Sequence, residues 1–194
     1  MNVSECALHD ALTPVQAGVV EAICDELICH FNSATRLAGM IERLEQIEDA
    51  RVCIEVFHRE WSVCDDTFPY RRKMIALLRK WRTRNGHRHF PMDADARAFF
   101  DPLPETVRIY RGCSQRRIRG LSWTTRREVA ERFARGHRNI EVPQPVIARA
   151  LIDKTKGVFT AIADRGEGEL IVLPRLLEQV SYCRRGEEDT WISL

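Results

Sequence analysis

The sequence contains no long apolar run: no stretch approaches the roughly 18 uncharged apolar residues that a membrane-spanning helix requires. It has no low-complexity tract, and residues 1–13 lack the basic and apolar regions of a secretory signal. These absences predict a cytoplasmic chain with no membrane partner. They leave open whether it acts in its own cell or, as a toxin or effector, after specialised delivery into another.

Cysteine pairs with the CxxC spacing are also missing, although the chain holds seven cysteines. An odd number of scattered cysteines on apolar faces is typical of reduced packing thiols and not of a disulfide framework. The candidate zinc ligands lack ligand spacing; they are Cys53, His58, Cys64, His87 and His89. We therefore expect no metal.

Net charge is small, at +2, so it does not by itself indicate a nucleic-acid partner. The 194 residues are 44% hydrophobic and 30% charged, as in ordinary globular proteins. This length suits one substantial core, or one catalytic domain with a helical extension.

The first half has a helical pattern. Thr13 and Pro14 form an N-cap and N1 pair, after which apolar residues recur every three or four positions. Further helices are predicted from about residue 33, over about 50–61, over about 70–81 and over about 93–100. We expect residues 1–100 to form a helical N-terminal region and residues 101–194 to form the catalytic core, with no second independent domain.

The fourth predicted helix is basic. Its stretch 71–88 contains no Asp or Glu and carries Arg71, Arg72, Lys73, Arg79, Lys80, Arg82, Arg84 and Arg88. Such a run is most often a solvated face. The functional alternative is a docking surface for an acidic partner or nucleic acid, with Trp81 available for stacking.

Short apolar runs between Gly, Asp and Pro replace the helical period after residue 104. They predict strands around residues 107–109, 121–123, 146–152, 158–162 and 170–172, with a helix over about 126–137 between them and a further edge strand within 180–194. The sequence therefore predicts an α+β fold.

Three segments of this half carry residues suited to chemistry. The first is Tyr110-Arg111-Gly112 at the end of a strand. The second is Ser122-Trp123-Thr124, which leads into a helix, so that Thr124 or Thr125 also suits its N-cap. The third is Glu167-Gly168-Glu169 before an apolar strand. Residues two apart on a strand share a face, so both glutamates should project side by side.

These segments, in this order, resemble the arginine-serine-glutamate pattern of the toxin-like mono-ADP-ribosyltransferases. The resemblance covers roughly residues 105–183 and includes Ala130 and Phe133 of the intervening helix. It implies an ADP-ribosyltransferase-like split mixed β-sheet with an N-terminal helical subdomain. It also implies NAD as co-substrate, and transfer of ADP-ribose with release of nicotinamide.

The resemblance also implies a role for each residue. Arg111 would grip the NAD phosphates, Gly112 would offer backbone groups to the nicotinamide carboxamide, and Ser122 would orient Glu169. Glu169 would bond the ribose 2′-hydroxyl and steady the positive charge that develops there. Trp123, Thr124 and Phe133 complete the expected cofactor contacts, with Phe133 facing the nicotinamide ring.

Glu167 occupies the position that selects the acceptor in this family. A glutamate there goes with arginine acceptors, because a carboxylate can hold and help deprotonate a guanidinium. The turn formed by Asp164, Arg165 and Gly166 would recognise that acceptor. We therefore expect a protein partner with an exposed arginine.

Two other functions stay open. Only ten residues separate Arg111 from Ser122, which leaves little room for a helix over the NAD and predicts an open pocket where water competes with the acceptor. An NAD glycohydrolase is therefore one alternative. The other is a catalytically inactive binding or adaptor module that works through the basic stretch.

Overall fold

The computed structural model describes residues 12–86, 88–136, 141–163, 166–187 and 190–194. Its backbone contacts divide the chain into two compact units. The first comprises Met1–Asp66 and Arg72–His87, and the second comprises Thr67–Arg71 and Arg88–Leu194. None of the described helices is long and apolar enough to cross a membrane.

The first unit is helical. Its helices are α1 (Pro14–His30), α2 (Arg36–Glu45), α3 (Ala50–Trp61) and most of α4 (Arg71–Asn85). Thr13 caps α1 in a capping box with Gln16, and Asp49 caps α3 by accepting from the amides of Arg51 and Val52. The first half of the chain is thus helical, as its sequence pattern predicts.

The core of the first unit contains large aromatic side chains. Phe57 lies 5.0 Å from Trp61 and 6.2 Å from Trp81, measured between ring centroids. Trp81 is fully buried. The indole is therefore a core residue, and the sequence-based suggestion that it is available for stacking on bases is wrong.

The second unit holds the remaining elements. Its helices are α5 (Ala94–Phe100), α6 (Arg127–Ala134) and α7 (Lys154–Gly157), and its strands are β1 (Thr106–Ser114), β2 (Ser122–Thr124), β3 (Pro145–Asp153), β4 (Val158–Ile162), β5 (Glu169–Val172), β6 (Glu178–Arg184) and β7 (Ile192–Ser193). Because α5 belongs to this unit, the units do not divide at residue 100, where the sequence analysis placed the domain boundary.

The strands form one sheet in the order β4-β5-β2-β1-β3-β6-β7. Every strand pair among the described residues is antiparallel. The α+β class is confirmed, whereas the expected mixed and split sheet is not what the described strands form. Short connections favour the antiparallel arrangement of the consecutive pairs β1-β2, β4-β5 and β6-β7, since a parallel pair needs a long crossover. The other three pairs join strands that are not consecutive in the chain.

The two faces of the sheet pack differently. One face carries the larger core, which includes Val107, Ile109 and Cys113 of β1 together with Trp123 and Leu170. On the other face α6 covers β1, and Ala130 and Ala134 form a small buried cluster there with Ile147 and Cys183. We call these the core face and the helix face.

Candidate functional site

The three segments that the sequence analysis singled out lie on neighbouring strands, because β5, β2 and β1 are adjacent in the sheet. Thr124 pairs with Glu169 on one side and with Tyr110 on the other. Ser122 pairs with Ile171. The fold thus brings together residues that are up to 59 positions apart in the chain.

The side chains of Ser122, Thr124 and Glu169 share the helix face. Directly paired residues of an antiparallel ladder lie on the same face, and so do residues two apart on one strand. Ser122 and Glu169 are both half-buried. They are diagonal neighbours across β2 and β5, which is within reach of a glutamate side chain.

Trp123 points the other way. Its side chain is 1% exposed within the core cluster, and its indole Nε1 donates to the carbonyl of Gly120 at 3.0 Å. The contact between this side chain and a cofactor that the sequence analysis expected is therefore wrong. The alternation of the strand turns Trp123 into the core, since Ser122 and Thr124 lie on the helix face.

Arg111 also lies on the core face, between Ile109 and Cys113. Its Nη1 donates to the carbonyl of Ser122, and its Nε donates to the carbonyl of Arg117 at 3.3 Å. The guanidinium covers Gly120, where an added Cβ would lie 2.5 Å from it. Burial raises the pKa of the Cys113 thiol, and the nearby Arg111 charge acts against that rise.

These bonds give Arg111 a different place from the one expected. Two of its nitrogens are bonded to backbone carbonyls, and its strand position is on the opposite face from Ser122 and Glu169. The structure therefore brings Arg111 to the backbone of the serine segment. The expected grip on the NAD phosphates has no support in this geometry.

Glu167 precedes β5 in a tight loop. Gly166 and Gly168, on either side of it, have φ angles of +61° and +58°, which favour glycine. An extended backbone is therefore interrupted between the two glutamates, and β5 begins only at Glu169. The prediction that both carboxylates project side by side from one strand is wrong for this reason.

The last residue of β2 and the two residues after it hold this loop in place. The Thr124 hydroxyl donates to the carbonyl of Glu167 at 2.5 Å, the Thr125 amide donates to the carbonyl of Gly168 at 3.1 Å, and the Arg126 guanidinium donates to the carbonyl of Gly166 at 2.6 Å. We call these three bonds the loop clasp. They fix the backbone of Glu167 beside the start of the Glu169 strand.

Thr124 has a second bond that bears on the start of α6. Its Oγ1 accepts from the amide of Arg126 at 3.0 Å, and Arg126 itself is the N-cap residue, without a side-chain cap bond. The prediction of Thr124 or Thr125 as N-cap is therefore wrong by one or two positions. Thr124 is 6% exposed. Its hydroxyl joins the Glu167 loop to the start of α6.

Gly112 lies under α6. An added Cβ there would meet the carbonyl oxygen of Ala130 at 1.8 Å and the amide nitrogen of Ala134 at 2.5 Å. The glycine thus permits the helix backbone to approach β1 closely. Gly112 and Phe133 are both half-buried, and their expected contacts with nicotinamide stay predictions.

Two residues at this site had no role predicted from sequence: Arg126, and Tyr110 of the first segment. Tyr110 is half-buried on the helix face, and it pairs with Thr124 on one side and Arg149 on the other. No local pattern marks either residue, because their roles follow from strand register. The expected acceptor turn falls only in part on described residues: Asp164 and Arg165 lie outside them.

The basic stretch 71–88 is partly engaged. Arg84 forms an ion pair with Glu48 at 2.8 Å, and the Arg71 guanidinium lies 3.9 Å from the centroid of the Phe68 ring. Burial and the neighbouring Arg79 lower the pKa of Arg82 to about 10. Arg72, Lys73 and Arg79 are exposed, which keeps a docking surface as a prediction.

In the part of the chain that the structure describes, no group of three or more His, Cys, Asp or Glu side chains is arranged to hold a metal ion. Comparison with known proteins adds no relative: no protein-family model, no curated protein and no solved structure matches this chain.

Proposed function

We propose that the chain is an NAD-dependent mono-ADP-ribosyltransferase of the arginine-serine-glutamate class that modifies an arginine of a protein. The observation that carries this proposal is the β5-β2-β1 order of the sheet. It joins the arginine, serine and glutamate segments, which are separate in sequence, around the three residues of β2. The finer fold assignment, an ADP-ribosyltransferase-like core, is part of the same proposal, with one antiparallel sheet in place of the mixed and split sheet first expected.

Glu169 is the residue that would act on NAD. Cleavage of the bond between nicotinamide and ribose passes through a transition state with positive charge on the ribose. A carboxylate bonded to the ribose 2′-hydroxyl stabilises that charge more in the transition state than in bound NAD. Ser122 is its neighbour on the helix face and would orient it.

Glu167 would serve the acceptor. The ribose C1′–nitrogen bond to nicotinamide breaks, and its electron pair leaves with neutral nicotinamide. A bond then forms between C1′ and a guanidinium nitrogen of the acceptor, whose proton passes to Glu167. The loop clasp supports this role because it holds the Glu167 backbone against β2.

Arg111 takes a positioning role in this proposal. Its bond to the Ser122 carbonyl fixes the first residue of β2, on which the orientation of Ser122 depends. A guanidinium suits this task because several N–H groups diverge from one plane and can reach two carbonyls at once. Lysine would supply a single charged nitrogen and could not span both.

The test is incubation of the purified protein with NAD labelled on its adenylate part, with cell lysate or a free arginine derivative as acceptor. Nicotinamide release and label transfer are followed together. We expect Glu169→Gln to abolish nicotinamide release, and Glu167→Gln to keep release while losing transfer. Glu178→Gln, an exposed glutamate on β6, is the matched control and should leave both unchanged.

The alternatives give different results. Nicotinamide release from the parent protein without transfer to any acceptor identifies an NAD glycohydrolase. Absence of both, together with absence of NAD binding, identifies a binding or adaptor module. Equal losses in Glu167→Gln and Glu169→Gln contradict the assignment of separate roles to the two glutamates.

A further inference from the structure

A groove of about 470 Å³ lies at the other end of the sheet, over β1, β3, β6 and β7. Its volume falls in the range of small-molecule sites, roughly 300–1,000 Å³. The charged residues of its lining are Arg108 and Arg149. Both lie in the second unit, on β1 and β3, whereas Glu169 of the proposed function is on β5 of the same sheet.

The groove lies on the helix face of the sheet. Arg149 pairs with Tyr110 on β1 and with Ser181 on β6, and Ser181 pairs with Ser193 on β7. Arg108 is the diagonal neighbour of Arg149, since it pairs with Leu151 two residues further along β3. Their side chains therefore project from the same face within reach of one ligand.

Arg149 is held in a fixed orientation. Its guanidinium lies 3.9 Å from the centroid of the Trp191 ring, and its Nε donates to the Ser181 hydroxyl at 2.9 Å. This arrangement leaves the two terminal nitrogens of the guanidinium for a ligand. Such nitrogens bind phosphate or carboxylate through two parallel hydrogen bonds. In the described part of the chain Arg149 has no acidic partner.

The rest of the lining adds donors and no acidic side chain. It includes the side chains of Gln179, Ser181 and Ser193, and no Asp or Glu. Gln179 has a φ of +48°, and the pairing of β3 with β6 shifts register next to Arg149. Irregularities of this kind recur next to binding sites, where they redirect side chains.

We propose that this groove binds an organic phosphate, with the phosphate held between Arg108 and Arg149. Two guanidinium groups match the charge of a phosphate monoester dianion better than that of a single carboxylate. The groove is larger than a phosphate ion, and Leu151, Trp191 and Leu194 provide apolar surface for the organic part. The inference is independent of the proposed enzymatic function.

The test uses AMP as the probe, adenosine as its counterpart without phosphate, and the indole N–H signal of Trp191 in two-dimensional NMR as the readout. The other three tryptophans, Trp61, Trp81 and Trp123, are at most 3% exposed, so they serve as internal references. We expect AMP to shift the Trp191 signal in a saturable manner. Adenosine at the same concentration should not shift it.

Three variants complete the experiment. Arg108→Ala and Arg149→Lys should each weaken AMP binding by about tenfold or more, as expected for a lost charge-assisted bond. Arg175→Ala removes an exposed arginine elsewhere in the same unit and should bind AMP as the parent does. Should Arg149→Lys fail to fold, Arg108→Ala decides the matter, since Arg108 is exposed.

The proposal is overturned if AMP leaves Trp191 unchanged, if adenosine shifts it equally, or if Arg175→Ala weakens binding as much as Arg108→Ala does. Glu169→Gln keeps AMP binding at the groove on this inference. Loss of AMP binding in Glu169→Gln would place the ligand at the other site and would equally overturn it.

Discussion

Replacement of Gly112 by alanine tests the packing of α6 on β1. The new Cβ would lie 1.8 Å from the Ala130 carbonyl oxygen, and this distance must grow to at least 3.4 Å to reach ordinary contact. The obstacle is helix backbone, which cannot rotate away as a flexible side chain would. Overpacking of this kind typically costs about 1–3 kcal/mol, and we expect Gly112→Ala to lie at the upper end.

The measurement is urea unfolding followed by circular dichroism. With a slope of about 2 kcal/mol per molar urea, the midpoint should fall by about 1 to 1.5 M. Gly18→Ala is the matched control, because a Cβ at Gly18 of α1 meets nothing within 4 Å. It should stabilise the chain by up to about 1 kcal/mol through helix propensity.

The same variant separates a packing role of Gly112 from a role in binding nicotinamide. An unchanged midpoint in Gly112→Ala would refute the close approach of α6 to β1. If Gly112→Ala were as stable as the parent but no longer cleaved NAD, the result would support the expected contact between Gly112 and nicotinamide.

Two further predictions concern the loop clasp and the buried thiols. Thr124→Val removes the hydroxyl that joins the Glu167 carbonyl to the Arg126 amide; it should cost about 1–3 kcal/mol of unfolding free energy, and Thr124→Ser should restore most of that. Equal stability of the Val and Ser variants in urea unfolding would contradict the clasp. Burial raises the pKa of Cys24 and of Cys64 from 9.0 to about 12, so their stabilising contribution is full below pH 9 and is lost as pH rises towards 12. The unfolding free energy should therefore fall over that window and fall less in Cys24→Ala, as measured by urea titration at several pH values; a flat profile would show that the thiols are accessible to water.

Much of the element pattern followed from sequence because it depends on local signals. The predicted helix over residues 50–61 and strand over residues 158–162 have those bounds in the structure. Thr13 and Pro14 start α1 as expected. Caps, apolar periods and turn residues are read from neighbours in the chain, and no tertiary contact overrides them in these three elements.

The meeting of the serine and glutamate segments was predicted, whereas several side-chain directions were not. Ser122 and Glu169 were expected to meet, and neighbouring strands bring them to one face. The orientation of Arg111 depends on which face of β1 carries odd-numbered residues, and that is set by packing across the sheet. The different directions of Glu167 and Glu169 depend on the left-handed backbone at Gly168. A glycine permits this conformation but does not by itself predict it.

The groove for which we propose phosphate binding could not be foreseen for a related reason. Arg108 and Arg149 are 41 positions apart, and they become neighbours only through the register of β1 against β3. A lone arginine on a predicted strand is ordinarily a solvated surface residue. Only the contact with Trp191 and Ser181 distinguishes Arg149 from other arginines.

One row of paired residues crosses the sheet from Glu169 through Thr124, Tyr110 and Arg149 to Ser181. Both proposed sites therefore depend on a single hydrogen-bonding alignment. A slip of β1 by one residue would turn Tyr110 and its neighbours inwards and expose Arg111, Ile109 and Val107 to water. The apolar side chains of the core face therefore stabilise this alignment. Any pressure that keeps the core face dry also preserves the geometry of the two proposed sites on the helix face.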